Sequence, residues 1–324
     1  MLLIITSIED VTADLVVEQL EKEKISFLRF NTEEYPLSSE ISVDINDASF
    51  SGLLKIANTE VSFHDINTVW FRKPGAWGIS PEITKAEAQC FAIKESEALM
   101  SGLYASLDHA FWVSRPEVIK RANNKIFQLK LAQKLGFKIP RTLVTNSPVS
   151  AKLFCETGNS MKIIKPMSSG QIACSDGNIE LIYTSFVESD DILNLNQVSL
   201  APCLFQEYIP KEYELRITVI GRKLYVVGLD SQSSNVSRHD WRRNNCDGVK
   251  YFKTSLPGNI EHLILEFVDY YGLAFSAFDF IKTTQGEYVF LENNPNGQWA
   301  WLDLEIENGM IEYMAKYLGN KTPR

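Results

Sequence analysis

Residues 274–297 read AFSAFDFIKTTQGEYVFLENNPNG, two apolar, aromatic-rich runs separated by TTQG and closed by a polar cluster. Runs of this kind around a short glycine-containing turn predict a β-hairpin. Asp279 lies inside the first run between Phe278 and Phe280, where aspartate is depleted and costly to bury without a charged partner. A turn centred between Gln285 and Gly286, as a two- or four-residue loop would place it, sets Asp279 opposite Glu292. Asn294, two residues on, shares the face of Glu292, and Asn293 points to the other side. Opposed carboxylates repel unless a cation lies between them. Oxygen donors of this kind suit Mg²⁺, which takes one or two protein carboxylates and leaves its other positions to water and phosphate oxygens. A plainer reading stays open at this point, in which Glu292 and the asparagines are an exposed strand end and NPNG is a turn.

Upstream, CLFQEYI reads as a strand, and ELRITVIGRKLYVVGLDSQ as a hairpin turned at Gly221-Arg222. Glu207 closes the first strand, where it could join a hinge that reads an adenine edge. Glu214 and Arg216 alternate along the next strand and so share a face. A carboxylate suits ribose hydroxyls and a guanidinium suits a phosphate or acyl group; a cross-strand ion pair on a wet sheet is the alternative. Lys165 ends the strand MKIIKP before the loop MSSGQIACSDGN. It is either a solvated strand end or a point charge on a phosphate cradled by loop amides.

The chain opens as β-α-β, LLIITS, TADLVVEQLEKEK and ISFLRF, without a G-x-G-x-x-G fingerprint. SPEITKAEAQCFAIKESEALMSGLYASL predicts a long helix with Ser80 as N-cap and Pro81 in first position. A further helix starts after Asn123 or Asn124 and ends at Gly136. The expected division is an N-terminal α/β domain over 1–112, a central α+β unit over 113–203 and a C-terminal unit over 204–324.

With 324 residues, 45% of them apolar, each unit can bury a core. A formal charge of −9 argues against nucleic-acid binding, which needs a basic surface. Local basic clusters, WFRKPG at 70–75 and SRHDWRRNN at 237–245, are the exceptions. No apolar run is long enough to cross a bilayer, and MLLIITSIED is unlike a secretory signal. Five scattered cysteines without a C-x-x-C pair predict a reducing, cytoplasmic setting and no structural zinc.

In order along the chain, Lys125, Lys165, QEYI (Gln206 to Ile209), Glu214, Arg216, Asp279 and ENN (292–294) resemble the ATP-grasp ligases over roughly residues 113–324. The resemblance implies an α/β (α+β) ATP-grasp fold behind an N-terminal pre-ATP-grasp α/β domain, with ATP and Mg²⁺ as cofactors. It implies that Lys125 and Lys165 contact phosphates, that Gln206, Glu207 and Ile209 form the adenine hinge, and that Glu214 holds the ribose. It places Asp279, Glu292 and Asn294 on magnesium, and Arg216 and Arg242 at the phosphates and the acyl phosphate. VWFRKP, RANNKIFQLKLAQKLGFKIPRTLVT and ENNPNGQWAWLDLE make the whole chain most similar to the microviridin-type graspetide synthetases. That likeness implies ω-ester or ω-amide bonds between Asp/Glu and Thr/Ser/Lys side chains of a ribosomal precursor peptide with a leader and an acidic core. Arg72, Arg238 and Arg243 are then candidates for guiding the acidic core. A ligase adding amino acids to a small molecule or protein tail, or a non-catalytic nucleotide-binding regulator, are the alternatives. Oligomeric state is left open, a homodimer among the options.

Overall fold

The structure, a computed structural model, describes residues 1–168, 170–173, 179–230 and 249–320. It is an α/β assembly of three parts, with all elements named here in chain order.

The first part is a parallel sheet of order β2-β1-β6-β7, with β1 (Leu2–Thr6) between β2 (Phe27–Asn31) and β6 (Thr68–Phe71), and β7 (Phe111–Val113) outermost. Side chains of β1 alternate between two cores, as strand geometry requires. Leu2 and Ile4 meet helix α1 (Val11–Lys22), whereas Leu3 and Ile5 face α2 (Ala86–Ser106) and an antiparallel sheet of β3 (Ser39–Ile45), β4 (Phe50–Ile56) and β5 (Thr59–Ser62). The helix expected from Ser80 begins six residues later, at Ala86. Ser80 instead closes a turn, its hydroxyl accepting from Glu82 N and its carbonyl from Ile83 N, so its capping capacity is used locally.

Two helices follow, α3 (Pro116–Ala122) and α4 (Lys125–Leu135). Asn124 caps α4, its side chain accepting from Phe127 N, and Gly136 closes it in the left-handed region at φ +95°. The central sheet has order β12-β9-β13-β8 and comprises β8 (Thr142–Thr145), β9 (Lys162–Lys165), β12 (Ser185–Phe186) and β13 (Cys203–Glu207). Helix α5 (Pro148–Glu156) covers it, joined by α6 (Ser189–Leu193). The segment read as a loop after Lys165 contains a short strand, β10 (Gln171–Ala173), which pairs antiparallel with β11 (Ile179–Leu181).

The third part is a five-stranded antiparallel sheet of order β16-β15-β14-β17-β18. Its strands are β14 (Tyr213–Ile220), β15 (Lys223–Asp230), β16 (Lys250–Lys253), β17 (Phe275–Lys282) and β18 (Tyr288–Asn294). One face packs Phe278, Phe280 and Phe290 against α7 (Gly258–Tyr271) and α4. The other carries Ala277 and Tyr225 against α1 and the last helices, α8 (Ala300–Ile306) and α9 (Met310–Gly319). Among the described residues no helix is long and apolar enough to cross a membrane.

Candidate active site

The hairpin of β17 and β18 pairs Asp279 with Glu292 in register. The turn is a three-residue loop rather than the expected even one: Thr283 N donates to Glu287 O, and Gly286 sits at φ +81°. Continued regularly, that turn would put Leu291 opposite Asp279. A β-bulge between Asp279 and Phe280 adds Leu291 to β18 and restores the Asp279–Glu292 pair. The bulge also separates Phe290 and Glu292, which a regular strand would hold on one face. Phe290 enters the core and Glu292 faces the cleft.

Asn293 does point away from Glu292 and Asn294. It is 1% exposed, its Oδ1 accepting from Ser276 Oγ, and its main chain is clasped by Gln128 of α4. Gln128 Oε1 accepts from Asn293 N at 2.9 Å and Gln128 Nε2 donates to Asn293 O at 2.7 Å. This clasp fixes the α4 N-terminus beside β18, and so places Lys125. Lys125 Nζ donates to Pro166 O at 2.9 Å and lies 3.2 Å from Glu292 Oε2, touching both walls of the cleft.

That cleft, about 310 Å³, opens between the central sheet and the C-terminal sheet. Lys125, Lys165, Gln206, Glu207, Ile209, Glu214, Asp279, Glu292 and Asn294 all line it. Gln206 Nε2 is held by Thr142 Oγ1 at 2.8 Å, and the Glu207 carboxylate pairs with Lys162 at 3.3 Å and Arg141 at 3.8 Å. With that carboxylate held by two cations, the segment 206–209 has its main chain as the natural reader of an adenine edge. Glu214, buried, accepts from Lys211 Nζ at 2.6 Å. Lys211 was missed in the sequence reading; its place three residues before Glu214 was the available signal.

The charge of Asp279 is compensated by protein. Arg216 Nη1 donates to both its carboxylate oxygens, at 2.8 and 2.9 Å, and Arg216 Nη2 donates to Gln298 O at 2.9 Å. Asn294 Nδ2 donates to Asp279 Oδ2 at 2.8 Å and lies 3.5 Å from Glu292 Oε1. Two carboxylates and one amide thus converge, all hard oxygen donors once the amide turns its Oδ1 inward, a rotation that exchanges groups of nearly equal size. The set fits a magnesium ion that keeps its remaining positions for water and phosphates. Among the described residues no group of three or more His, Cys, Asp or Glu side chains gathers to hold a metal.

Arg216 also borders a second cavity of about 450 Å³, which shares Asn123, Asp279 and Asn294 with the first. Its floor is the turn at 295–298. Arg72 braces that turn from below, donating to Asn296 O at 3.0 Å and Gly297 O at 3.1 Å, and pairs with Asp10 at 3.4 Å. Arg72 is 1% exposed, and burial pulls its pKa down to about 10 against the pull of Asp10. It therefore presents no surface to a guest here. Its neighbour Lys73, absent from the sequence candidates, lines the second cavity. Arg238, Arg242 and Arg243 lie outside the described residues.

Two facing β-sheets with a cationic and an acidic wall between them are the nucleotide-clamping architecture of the ATP-grasp class. The chain belongs to the RimK-like ATP-grasp family, whose domain model matches residues 122–317, while the MvdD pre-ATP grasp domain matches residues 1–120. It is similar to a RiPP-associated ATP-grasp ligase of Chryseobacterium gregarium, solved with ADP and a leader and core peptide. The TM-score is 0.91 at 36% identity, over 100% of this chain and 97% of that one. It is similar to macrocyclase MdnC of Microcystis aeruginosa MRC bound with precursor peptide MdnA, at TM-score 0.86 and 28% identity over 99% of each chain. Among curated sequences, the alpha-aminoadipate–LysW ligase LysX of Sulfolobus acidocaldarius is 25% identical over 68% of this chain and 79% of its own length.

Proposed function

We propose that this protein is an ADP-forming ligase that activates Asp or Glu side chains of a ribosomal precursor peptide and joins them to Thr, Ser or Lys side chains of the same peptide. The observation that carries the proposal is the junction of the two cavities at Asp279 and Asn294. One cavity has the chemistry of a nucleotide site, and the other opens beside the place where its terminal phosphate would lie. Whole-chain likeness to a ligase solved with ADP and a leader and core peptide supports a peptide as the second substrate.

In the first step a substrate carboxylate oxygen attacks the γ-phosphorus of ATP, the bond to the bridging oxygen breaks, and ADP leaves an acyl phosphate. The hydroxyl or amine then attacks the acyl carbon, inorganic phosphate departs, and the nucleophile's proton passes to phosphate or water. Lys125 and Lys165 hold the phosphates, residues 206–209 hold the adenine and Glu214 the ribose. Asp279, Glu292 and Asn294 would hold magnesium, whose contribution when bound is neutralisation of the migrating charge. Arg216 steadies the phosphoryl oxygens, and Arg242 is assigned to the acyl phosphate by family resemblance alone. No side-chain nucleophile is required. Arg72 contributes by holding the turn at 295–298, and Arg238 and Arg243 remain the candidates for guiding an acidic core.

The test is incubation of the full chain with Mg·ATP and a candidate precursor, followed by mass spectrometry for loss of one water per bond formed. A second reading, addition of a free amino acid, is favoured by the likeness to alpha-aminoadipate–LysW ligase. Phosphate release with ATP and single amino acids separates the two, since the peptide ligase stays silent without its peptide.

A further inference from the structure

Among the described residues, one cation–anion pair and one further cation border the second cavity, and a second pair lies beneath its floor. Arg216 is matched by Asp279, at 2.8 Å, and Arg72 by Asp10, at 3.4 Å. Lys73 lines the cavity beside them, and among the described residues it forms no ion pair. Its pKa is lowered, first by burial and then by the charge of Arg72, with Asp10 pulling the other way. An ammonium so placed has no ion-pair partner among the described residues, and an anion entering the cavity would relieve both penalties. Beside the polar Asn123 and the turn at 295–298, the lining includes Ile119 and Trp301, apolar surfaces suited to methylene groups. Asp279 and Asn294 form the boundary with the nucleotide cleft, so an anion held by Lys73 sits next to the phosphate-transfer position.

We infer that Lys73, supplied by the N-terminal domain, is the specificity-determining cation that captures the substrate carboxylate awaiting activation, with Ile119 and Trp301 flanking its methylene chain. This rests on the ligase reading above and deepens it. A lysine suits the task because its flexible ammonium gives a point charge that leaves either carboxylate oxygen open to attack phosphorus. It also makes the N-terminal domain a part of the substrate site rather than a support for it.

The experiment is competitive acetylation of lysines on the full-length protein, read by peptide mass spectrometry, with a magnesium-bound non-hydrolysable ATP analogue present. The probes are N-acetyl-glutamate α-amide, the isosteric N-acetyl-glutamine amide and inorganic phosphate. The acid probe should slow acetylation of Lys73 several-fold while the amide leaves it unchanged. Equal effects of acid and amide probes, or protection by phosphate as strong as by the acid, would overturn the assignment. Protection of Lys125 and Lys165 by the nucleotide analogue alone reports the parent reading separately: its absence overturns both, whereas its presence without a response at Lys73 overturns only this inference. Kinetically, Lys73→Gln should raise KM for the peptide roughly 10- to 100-fold, the size of a lost charged hydrogen bond. The KM for ATP should stay unchanged, and Lys73→Arg should recover part of the loss. A fall in kcat at unchanged peptide KM would contradict the role.

Discussion

Arg216 holds Asp279 by both carboxylate oxygens, and so occupies one arm of the donor set that Asp279, Glu292 and Asn294 form across the β17–β18 hairpin. The carboxylate pair that would repel on bare strands is thus compensated from inside the protein, by Arg216 on one member and Lys125 on the other. A metal held by this set would compete with these two cations for the carboxylate oxygens.

The first prediction follows from that pairing. Asp279→Ala leaves Arg216, 6% exposed, without its counter-ion and should lower stability by about 3 kcal/mol, the low end of the cost of breaking a buried pair. Glu292→Gln keeps the shape and removes a charge paired with the less buried Lys125, so its midpoint in a denaturant titration should move far less. Both variants should lose Mg·ATP-dependent turnover. Equal midpoints for Asp279→Ala and wild type would show that Arg216 does not depend on Asp279.

Gln128 supplies the second prediction. Its amide satisfies both main-chain groups of Asn293, at 2.9 and 2.7 Å. Gln128→Ala should cost about 1–3 kcal/mol for the buried groups left unpaired, and should weaken nucleotide affinity because Glu292 and Asn294 flank the loosened residue. Gln128→Glu, which cannot donate to Asn293 O while ionised, should be at least as damaging. Calorimetric titration with a non-hydrolysable ATP analogue, alongside thermal unfolding, checks both effects.

Gly297 is the third. A Cβ there would lie 2.5 Å from Arg216 Nη2, 3.0 Å from Asn294 Cβ and 3.2 Å from Ala277 Cβ. Gly297→Ala must displace the Arg216 guanidinium, at a stability cost of about 1–3 kcal/mol as for other overpacked sites. Turnover should fall more than ATP affinity, because Arg216 borders the second cavity and does not line the nucleotide cleft. Comparing KM for ATP with kcat in the variant decides this.

Asp10 is the fourth. It is 3% exposed and pairs with Arg72, while its Oδ2 also accepts from Thr6 Oγ1 at 2.8 Å. Asp10→Ala strands a buried guanidinium and should destabilise by about 3–5 kcal/mol, loosening the turn at 295–298 that floors the second cavity. A urea midpoint equal to that of wild type would contradict this account of Arg72.

Much of this was legible in the sequence because strand parity is a strong constraint. Asp279 among aromatics, and Glu292 and Asn294 two apart, suffice to set the two carboxylates face to face. The register came out right for an incomplete reason: the turn has three residues where two or four were expected, and the bulge at Leu291 restores the pairing. Neither feature is visible in alternation alone, since a bulge and a shift of turn each change the count by one. The start of α2 was misplaced because a serine followed by proline serves a turn as well as a helix cap. Arg72 in WFRKPG read as a candidate for guiding an acidic core, yet it is buried against a turn more than two hundred residues away. Only tertiary packing distinguishes it from Lys73 beside it.

The central claim is that this chain condenses carboxylates of a peptide at the expense of ATP. The most direct measurement is high-resolution mass spectrometry of a short precursor peptide, encoded beside this gene, after treatment with the full-length enzyme and Mg·ATP. The account predicts loss of one water for each bond formed, one ADP released per water lost, and no change with Glu292→Gln. An unaltered peptide mass with a verified precursor, or water loss that persists without ATP, would contradict it.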